Sequence, residues 1–262
     1  ASVMVVSVLK TTAGRSFATL ACALPLLTAS CGSRPGKSSL LSGGTGLTPK
    51  PLIIGMAGYA TCQDSEDIPG QYGPEGHEMF KRITALAGYI KSQFGFDASI
   101  YASCFTTERR LIVSSSINQY QPTTPSDDEY LDNTHQLMND YTHIFVVGHS
   151  YGGWLAMKLM ETWNGDQNSV KSVYTLDPIS KQLCFFDTPD ECVRAPHDVD
   201  DNSRQHISDY SSIWVNPWQE NTMFLHSSQI SQADLNPQYD LTHWTMLPND
   251  DIWLDIRSRV SM

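Results

Sequence analysis

The chain has 262 residues, enough for one substantial hydrophobic core, and 40% of them are hydrophobic. Its 28 acidic and 17 basic residues give a formal net charge of −11. This charge argues against nucleic acid as a partner, because phosphate binding depends on clustered lysine and arginine. Neither C-x-x-C nor H-E-x-x-H occurs, so metal chemistry has no motif to support it. We expect one folded domain without a metal or a cofactor.

The first 30 residues are typical of a secretory signal peptide. They contain Lys10 and Arg15 but no acidic residue, and the uncharged stretch 16–30 is too short to cross a bilayer as a helix. The stretch leads into Leu27-Thr28-Ala29-Ser30-Cys31, which resembles a bacterial lipobox. We expect cleavage before Cys31, lipidation of Cys31, and a net charge that changes from −11 to −13 on loss of residues 1–30.

This leader predicts an exported protein of the cell envelope. A lipid on Cys31 would anchor it to a membrane, at the outer membrane or the cell surface, and ordinary secretion is the alternative. Residues 31–50 are rich in Gly, Ser, Thr and Pro and are predicted to form a flexible tether. The catalytic domain is predicted to span 51–262.

The folded part is predicted to begin with a buried strand at 51–55, followed at once by a glycine-containing loop at 55–59. A helix is predicted at 75–94, where apolar residues recur at helical spacing and Gly95 ends the pattern; these are Met79, Ile83, Leu86, Ile90 and Phe94. The later predicted elements are a strand at 98–105, an irregular loop at 106–128, a helix at 129–140, a strand at 143–147, a helix from 151 to about 164, a strand at 170–176, a loop-like stretch at 178–210, strands at 211–215 and 222–226, and a helix after Pro248.

The segment Gly148-His149-Ser150-Tyr151-Gly152 carries the clearest chemical signal. It fits G-x-S-x-G, and it follows a predicted strand and precedes a predicted helix, which is the context in which this pattern forms a nucleophile elbow. The glycines would allow strand and helix to approach closely. Ser150 is therefore the candidate nucleophile, and His149 is expected to pack beside it.

Strands that alternate with helices indicate a mainly parallel sheet flanked by helices. This pattern combines with the elbow, the glycine loop at 55–59, an aspartate after the next strand and a late histidine. Over residues 50–258 the chain resembles the α/β-hydrolase superfamily of lipases and esterases. The resemblance implies a minimal α/β-hydrolase fold that lacks the first two strands, as in the smaller, cutinase-sized members.

A serine nucleophile needs a base, and the base needs a carboxylate that fixes its tautomer. Asp177 follows the strand at 170–176 and precedes a proline, as the triad acid does in pancreatic-type lipases, whereas Asp234 is the alternative. His243 lies before the final helix, where the family's histidine belongs, and His226 is the second choice. The predicted triad is Ser150, Asp177 and His243.

The oxyanion hole of this family is formed by two backbone amides. One is predicted to come from Tyr151, the residue after the nucleophile. The other should come from the loop at 55–59, where lipases often carry a His-Gly pair; here Tyr59 is the first choice and Gly58 the second. Aromatic side chains are proposed to line an apolar acyl pocket; these are Tyr59, Tyr72, Tyr151, Trp214 and Trp218.

Four cysteines lie beyond the predicted lipobox, and an even number in an exported protein suggests disulfides. Four cysteines allow three pairings. Cys62 with Cys104 is favoured because both follow predicted strands, and Cys184 with Cys192 because they bracket a short loop.

These residues predict a serine hydrolase that cleaves carboxylic esters through an acyl-enzyme, as lipases and esterases do. The triad does not select the leaving group, so a peptidase or amidase of the same fold is one alternative. A non-catalytic, surface-binding lipoprotein is another. Acyl chain length, a lid and the oligomeric state are not encoded in the pattern.

Overall fold

A computed structural model describes residues 48–58, 74–105, 110–114, 117–123, 126–180, 184 and 189–262, and within these ranges seven strands form one sheet. In chain order the strands are β1 (Pro51–Met56), β2 (Ser99–Phe105), β3 (Arg110–Ser114), β4 (Ile117–Thr123), β5 (His143–His149), β6 (Val170–Leu176) and β7 (Trp214–Val215). Their order across the sheet is β4-β3-β2-β1-β5-β6-β7. The five strands from β2 to β7 in this order run parallel, and β3 and β4 pair antiparallel at one edge.

The central strand β1 is apolar along its whole length because both faces of the sheet are covered. Alternate residues of β1 point to opposite faces: Leu52 and Ile54 belong to one hydrophobic cluster, and Ile53 belongs to the other. All six residues of β1 are buried. A polar side chain at any of these positions would therefore enter a packed layer.

Helices cover the two faces. The described helices are α1 (Pro74–Phe94), α2 (Asp127–Met138), α3 (Tyr151–Glu161), α4 (Asp201–Asp209), α5 (His243–Met246) and α6 (Asp250–Ser258). Helices α2, α3 and α4 share one hydrophobic cluster with the sheet, and α1 and α6 share the other. The described residues all belong to one compact unit that spans Leu47–Met262.

The predicted fold class is confirmed. The sheet is mainly parallel, helices flank both faces, and among the described residues the chain enters the sheet at its central strand, as expected of a reduced α/β-hydrolase fold. The predicted elements at β1, α1, β2, α2, β5, α3, β6 and α6 are present within a few residues of their expected bounds. Phe94 is an exception within α1, because it is 36% exposed rather than packed inward.

The irregular loop predicted at 106–128 was wrong. Two strands, β3 and β4, occupy most of it, and Pro122 pairs opposite Leu111. The prediction gave weight to Pro122 and Pro125, but β4 is the edge strand, where a residue without an N–H group is tolerated.

The loop predicted at 178–210 was partly wrong, because α4 and a short 3-10 helix at Pro189–Val193 lie within it. Helix α4 is polar and presents few apolar residues to the core, which weakened its periodic signal. It begins at an N-cap: the Asp200 side chain accepts a hydrogen bond from the Ser203 N–H at 2.8 Å.

The strand predicted at 222–226 was also wrong, and the one predicted at 211–215 is reduced to the two residues of β7. Residues 222–226 form a turn in which Met223 and Phe224 are 75% and 77% exposed. A run of apolar residues suggested a buried strand, but hydrogen bonds from Gln219 and Thr222 fix the backbone as a turn.

None of the helices in the described ranges is both long enough and apolar enough to cross a bilayer.

Candidate active site

Ser150 lies between the end of β5 and the start of α3 in a backbone conformation that side chains rarely adopt, with φ 58° and ψ −125°. Its N–H donates to the Leu176 carbonyl at 2.9 Å, and its carbonyl accepts from the Ile179 N–H at 3.0 Å. These bonds tie the turn to the end of β6. Its side chain does not cap α3, so the hydroxyl is not used to satisfy the helix.

The two glycines of the predicted elbow have the steric role expected of them. A Cβ on Gly148 would collide with the carbonyl group of Gly152. A Cβ on Gly152 would in turn collide with the carbonyl oxygens of Met56 and Ala57, at the end of β1. The absence of both side chains therefore lets α3 start directly above β5 and beside the loop that follows β1.

Asp177 follows β6 and also has a positive φ, of 45°. Its side chain is fully buried and accepts three hydrogen bonds. Oδ1 accepts from the Ser227 N–H at 2.6 Å, and Oδ2 accepts from Gln219 Nε2 and from His243 Nδ1, each at 2.7 Å. Three donors therefore satisfy the hydrogen-bonding capacity of this buried carboxyl group and fix its orientation.

His243 is the first residue of α5 and is fully buried. Because Asp177 is its acceptor, Nδ1 is assigned the proton, which leaves Nε2 in the form that a general base requires. The backbone of His243 is also held: its N–H donates to Thr222 Oγ1 at 2.8 Å, and its carbonyl accepts from His149 Nε2 at 3.0 Å.

The His149 ring packs on the His243 ring at a centroid distance of 4.7 Å. Since His149 directly precedes Ser150, this contact brings the base to the elbow. Within the described ranges, Nε2 of His243 is not hydrogen-bonded to the Ser150 hydroxyl. Such contacts are often long in unliganded sites and tighten when substrate binds.

Asp234 and His226, the alternative acid and base from the sequence, form hydrogen bonds elsewhere. Asp234 Oδ2 accepts from the Trp214 N–H at 2.8 Å and holds the start of β7. His226 Nδ1 bonds the Ser227 carbonyl at 2.9 Å. The structure thus brings Asp177, rather than Asp234, to His243, while the catalytic roles themselves stay predictions.

The predicted oxyanion residues are partly described. Tyr151 begins α3, where backbone N–H groups point out of the helix, and its own hydroxyl donates to Asp127 Oδ1 at 2.6 Å. Gly58 is buried two residues after β1, next to the carbonyls that Gly152 approaches. Tyr59, the first choice for the second amide, lies outside the described residues.

Of the five aromatic side chains proposed to line an acyl pocket, three are described and all three are buried: Tyr151, Trp214 and Trp218. Trp214 Nε1 donates to Thr175 Oγ1 at 3.0 Å. Tyr59 and Tyr72 lie outside the described ranges, so the pocket stays a prediction. Three large apolar side chains are exposed next to residues that contact or form the proposed base: Met223 and Phe224 follow Thr222, and Trp244 follows His243, whose ring it meets edge-on at 5.0 Å.

Sequence reasoning missed the residues that support the acid and the base from the segment 216–227. Gln219, Thr222 and Ser227 lie in a stretch without helical or strand periodicity, and no motif marks them. Only the approach of this segment to Asp177 and His243 in the folded chain reveals them.

The cysteine predictions are supported where the structure describes them. Cys184 and Cys192 form the predicted disulfide, with Cα atoms 4.6 Å apart. Cys104 is disulfide-bonded, and its predicted partner Cys62 lies outside the described residues. Within the described ranges, His, Cys, Asp and Glu side chains form no cluster of three or more that could hold a metal ion.

Comparison with known proteins gave no matching family model and no matching curated protein. Among solved structures, the chain is similar to ferulic acid-bound Est1E from Butyrivibrio proteoclasticus, with 11% identity, TM-score 0.43, and coverage of 80% of this chain and 90% of that one. It is also similar to a lipase-esterase related protein from Clostridium acetobutylicum, with 10% identity, TM-score 0.42, and coverage of 81% and 95%.

A third similar structure is a putative alpha/beta hydrolase of unknown function from Agrobacterium tumefaciens, with 13% identity and TM-score 0.37. The matched region covers 80% of this chain and 86% of that one. These identities and scores are low. The fold is therefore assigned from the sheet order and the helix placement. Any function has to be argued from the contacts around Ser150 and His243.

Proposed function

We propose that this protein is a serine hydrolase that cleaves carboxylic esters through Ser150, Asp177 and His243. The observation that carries the proposal is the buried 2.7 Å hydrogen bond between Asp177 Oδ2 and His243 Nδ1, on a histidine ring that packs against the residue before an elbow serine. A buried carboxylate is costly unless donors satisfy it, and the histidine is one of the three donors on Asp177.

The proposed chemistry is acyl transfer to the serine hydroxyl. His243 Nε2 takes the proton of the Ser150 hydroxyl while Oγ attacks the ester carbonyl carbon. The negative charge that forms on the carbonyl oxygen is met by the Tyr151 amide at the N-terminus of α3 and by an amide of the loop after β1, from Tyr59 or Gly58. The alcohol then leaves with the proton from His243. Water, activated by the same histidine, releases the acid from the serine ester.

An ester with an apolar group is favoured over a charged substrate. Met223 and Phe224 are 75% and 77% exposed and follow Thr222, whose hydroxyl accepts from the His243 N–H, and Trp244 next to His243 is 61% exposed. The chain carries 28 acidic residues against 17 basic ones, so an anionic substrate would be repelled.

The test is hydrolysis of p-nitrophenyl esters from acetate to palmitate by the full chain, with Ser150→Ala as the matched variant. We expect turnover by the native protein, its loss in Ser150→Ala, and fluorophosphonate labelling of the native protein alone. Labelling without ester turnover would favour an amide substrate. Neither labelling nor turnover would favour a non-catalytic binding protein.

We also propose that the enzyme is exported and anchored through a lipid on Cys31. The support is the sequence of residues 1–31, which lie outside the described ranges. Expression with a radiolabelled fatty acid should label the native chain and not a Cys31→Ser variant. Equal labelling of the two, or a native chain released to the medium without lipid, would contradict the anchor.

A further inference from the structure

Gln219 is a buried amide that lies outside the predicted triad and contacts its acid. Its side chain has 0% exposure. Nε2 donates to Asp177 Oδ2 at 2.7 Å and to the Leu225 carbonyl at 3.0 Å, and Oε1 accepts from the Thr222 N–H at 2.9 Å. Two acceptors face the nitrogen and one donor faces the oxygen, so the partners fix the amide orientation.

The contacts of Gln219 close a ring around the acid and the base. Gln219 donates to the Asp177 carboxylate, and the same carboxylate accepts from His243 Nδ1 at 2.7 Å. On the other side, Gln219 holds the Thr222 N–H, and the Thr222 hydroxyl accepts from the His243 N–H at 2.8 Å. Gln219 thus acts on both the ring and the backbone of the histidine, by two separate paths.

The position of the donor matters for charge as well as for geometry. Gln219 Nε2 and His243 Nδ1 bond the same oxygen, Asp177 Oδ2. A neutral donor on this oxygen withdraws part of the negative charge that His243 feels. Asp177 and His149 both face the His243 ring, and Gln219 is placed to tune the influence of the first of them.

We propose that Gln219 is a positioning residue of this hydrolase, which orients Asp177 and His243 toward each other and limits how strongly the carboxylate draws the proton of the histidine. The proposal rests on the ester hydrolase function proposed above. The side-chain hydrogen bonds of Gln219 go to Asp177, Leu225 and Thr222, so its effect is exerted through the acid and the base.

The test compares two substitutions at Gln219 with one at Asn216, a second fully buried amide on the same segment. Gln219→Met keeps the shape and removes all three hydrogen bonds. Gln219→Glu keeps the length and an oxygen for the Thr222 N–H but places a second carboxyl group on Asp177. Asn216→Leu is the control, because Asn216 bonds Thr175, Ser228 and Asn236 and does not contact Asp177.

The readouts are the melting temperature and the pH dependence of kcat and kcat/KM with p-nitrophenyl acetate. We expect Gln219→Met to lower kcat about tenfold to a hundredfold with little change in KM, since one charge-assisted hydrogen bond in the site is lost. In the plot of kcat/KM against pH, the acid limb of Gln219→Met should move to higher pH by about half a unit or more. The reason is that the carboxylate, without the Gln219 donor, stabilises the protonated histidine more strongly. Gln219→Glu should move the limb in the same direction.

A purely structural role predicts a different result. If either Gln219 variant melts earlier, as Asn216→Leu should, but keeps the native kcat and the native acid limb, the positioning role is wrong and the ester hydrolase stands. If the native protein hydrolyses no ester and no fluorophosphonate labels it, the proposed function fails, and the role of Gln219 fails with it. Gln219→Glu decides the question if Gln219→Met does not fold.

Discussion

Ser150 and Asp177 are the two non-glycine residues with positive φ in the described part of the chain. Such a conformation costs on the order of 1–3 kcal/mol at each position and persists only where the surroundings impose it. At Ser150 the turn is imposed by its bonds to Leu176 and Ile179, and at Asp177 by the three donors on its carboxylate. The two strained residues are also two of the three that the proposed chemistry requires, so strain and function coincide.

At this scale the roles of the two candidate acids can be separated. Asp177→Asn should lower kcat by about 10⁴-fold, because an amide at this position favours the wrong histidine tautomer. Asp234→Asn should leave kcat within about twofold and lower the melting temperature slightly, since it weakens one hydrogen bond to the Trp214 N–H. Ester hydrolysis by both variants checks this; loss of turnover in Asp234→Asn alone would assign the acid to that residue.

A second residue-scale prediction concerns the exposed turn. Phe224 is 77% exposed and lies two residues after Thr222, whose hydroxyl accepts from the His243 N–H, so its replacement should affect substrates rather than folding. Phe224→Ser should lower kcat/KM for p-nitrophenyl esters of medium chain length several-fold and leave the acetate ester unchanged, because a few methylene contacts of about 0.8 kcal/mol each are lost.

The matched control for this prediction is Leu254→Ser, which removes another exposed apolar side chain, on α6. An equal chain-length profile for Phe224→Ser, Leu254→Ser and the native protein would show that the turn does not contact the acyl group.

At the scale of elements, the contact of α3 with β5 and β1 depends on glycines that cannot be replaced. Gly152→Ala would drive a methyl group into the backbone at Met56 and Ala57, so we expect an insoluble or unfolded protein. In Gly88→Ala the new methyl group meets no atom within 4 Å, and Gly88 lies within α1.

This second substitution should raise the free energy of unfolding by about 0.5–1 kcal/mol, because alanine restricts the unfolded chain and favours the helix. Thermal melting of the two variants tests both. A soluble, active Gly152→Ala protein would mean that the close approach of α3 to β1 is wrong.

At the scale of the whole molecule, stability should depend on pH through His143 at the start of β5. Burial, and then the charge of Lys171, lower the pKa of His143 below its ordinary value of 6.5. Below that value the unfolded chain binds a proton that the folded chain does not. The contribution of this histidine is therefore present above the ordinary pKa and is lost as the pH falls through the lowered one.

The melting temperature should accordingly fall between about pH 7.5 and about pH 5.5, and it should fall less in His143→Gln. His77→Gln, a substitution on the exposed face of α1, is the control and should retain the native pH dependence. An equally steep loss in His143→Gln would assign the acid sensitivity to other groups.

The sequence by itself determined the local features. Apolar runs fixed β1, β5 and β6, three- and four-residue spacing fixed α1, and G-x-S-x-G between a strand and a helix located the elbow at Ser150. These signals are local because burial on both faces of a strand, or on one face of a helix, leaves a periodic trace in neighbouring residues. The order Ser150, Asp177, His243 could be proposed because the resemblance to lipases and esterases assigns the acid and the base to the ends of such elements.

Only the tertiary structure decided what the segments without a period do. Residues 222–226 look like a strand because three neighbouring side chains are apolar, yet the Thr222 N–H donates to the Gln219 side chain and the segment forms a turn. The Thr222 hydroxyl then accepts from the His243 N–H, 21 residues further along the chain. The choice between Asp177 and Asp234 as the partner of His243 and the place of Gln219 likewise depend on contacts between residues 20 to 66 positions apart. Contacts between residues far apart in the sequence leave no periodic pattern in neighbouring residues. They can therefore be identified only in the folded structure.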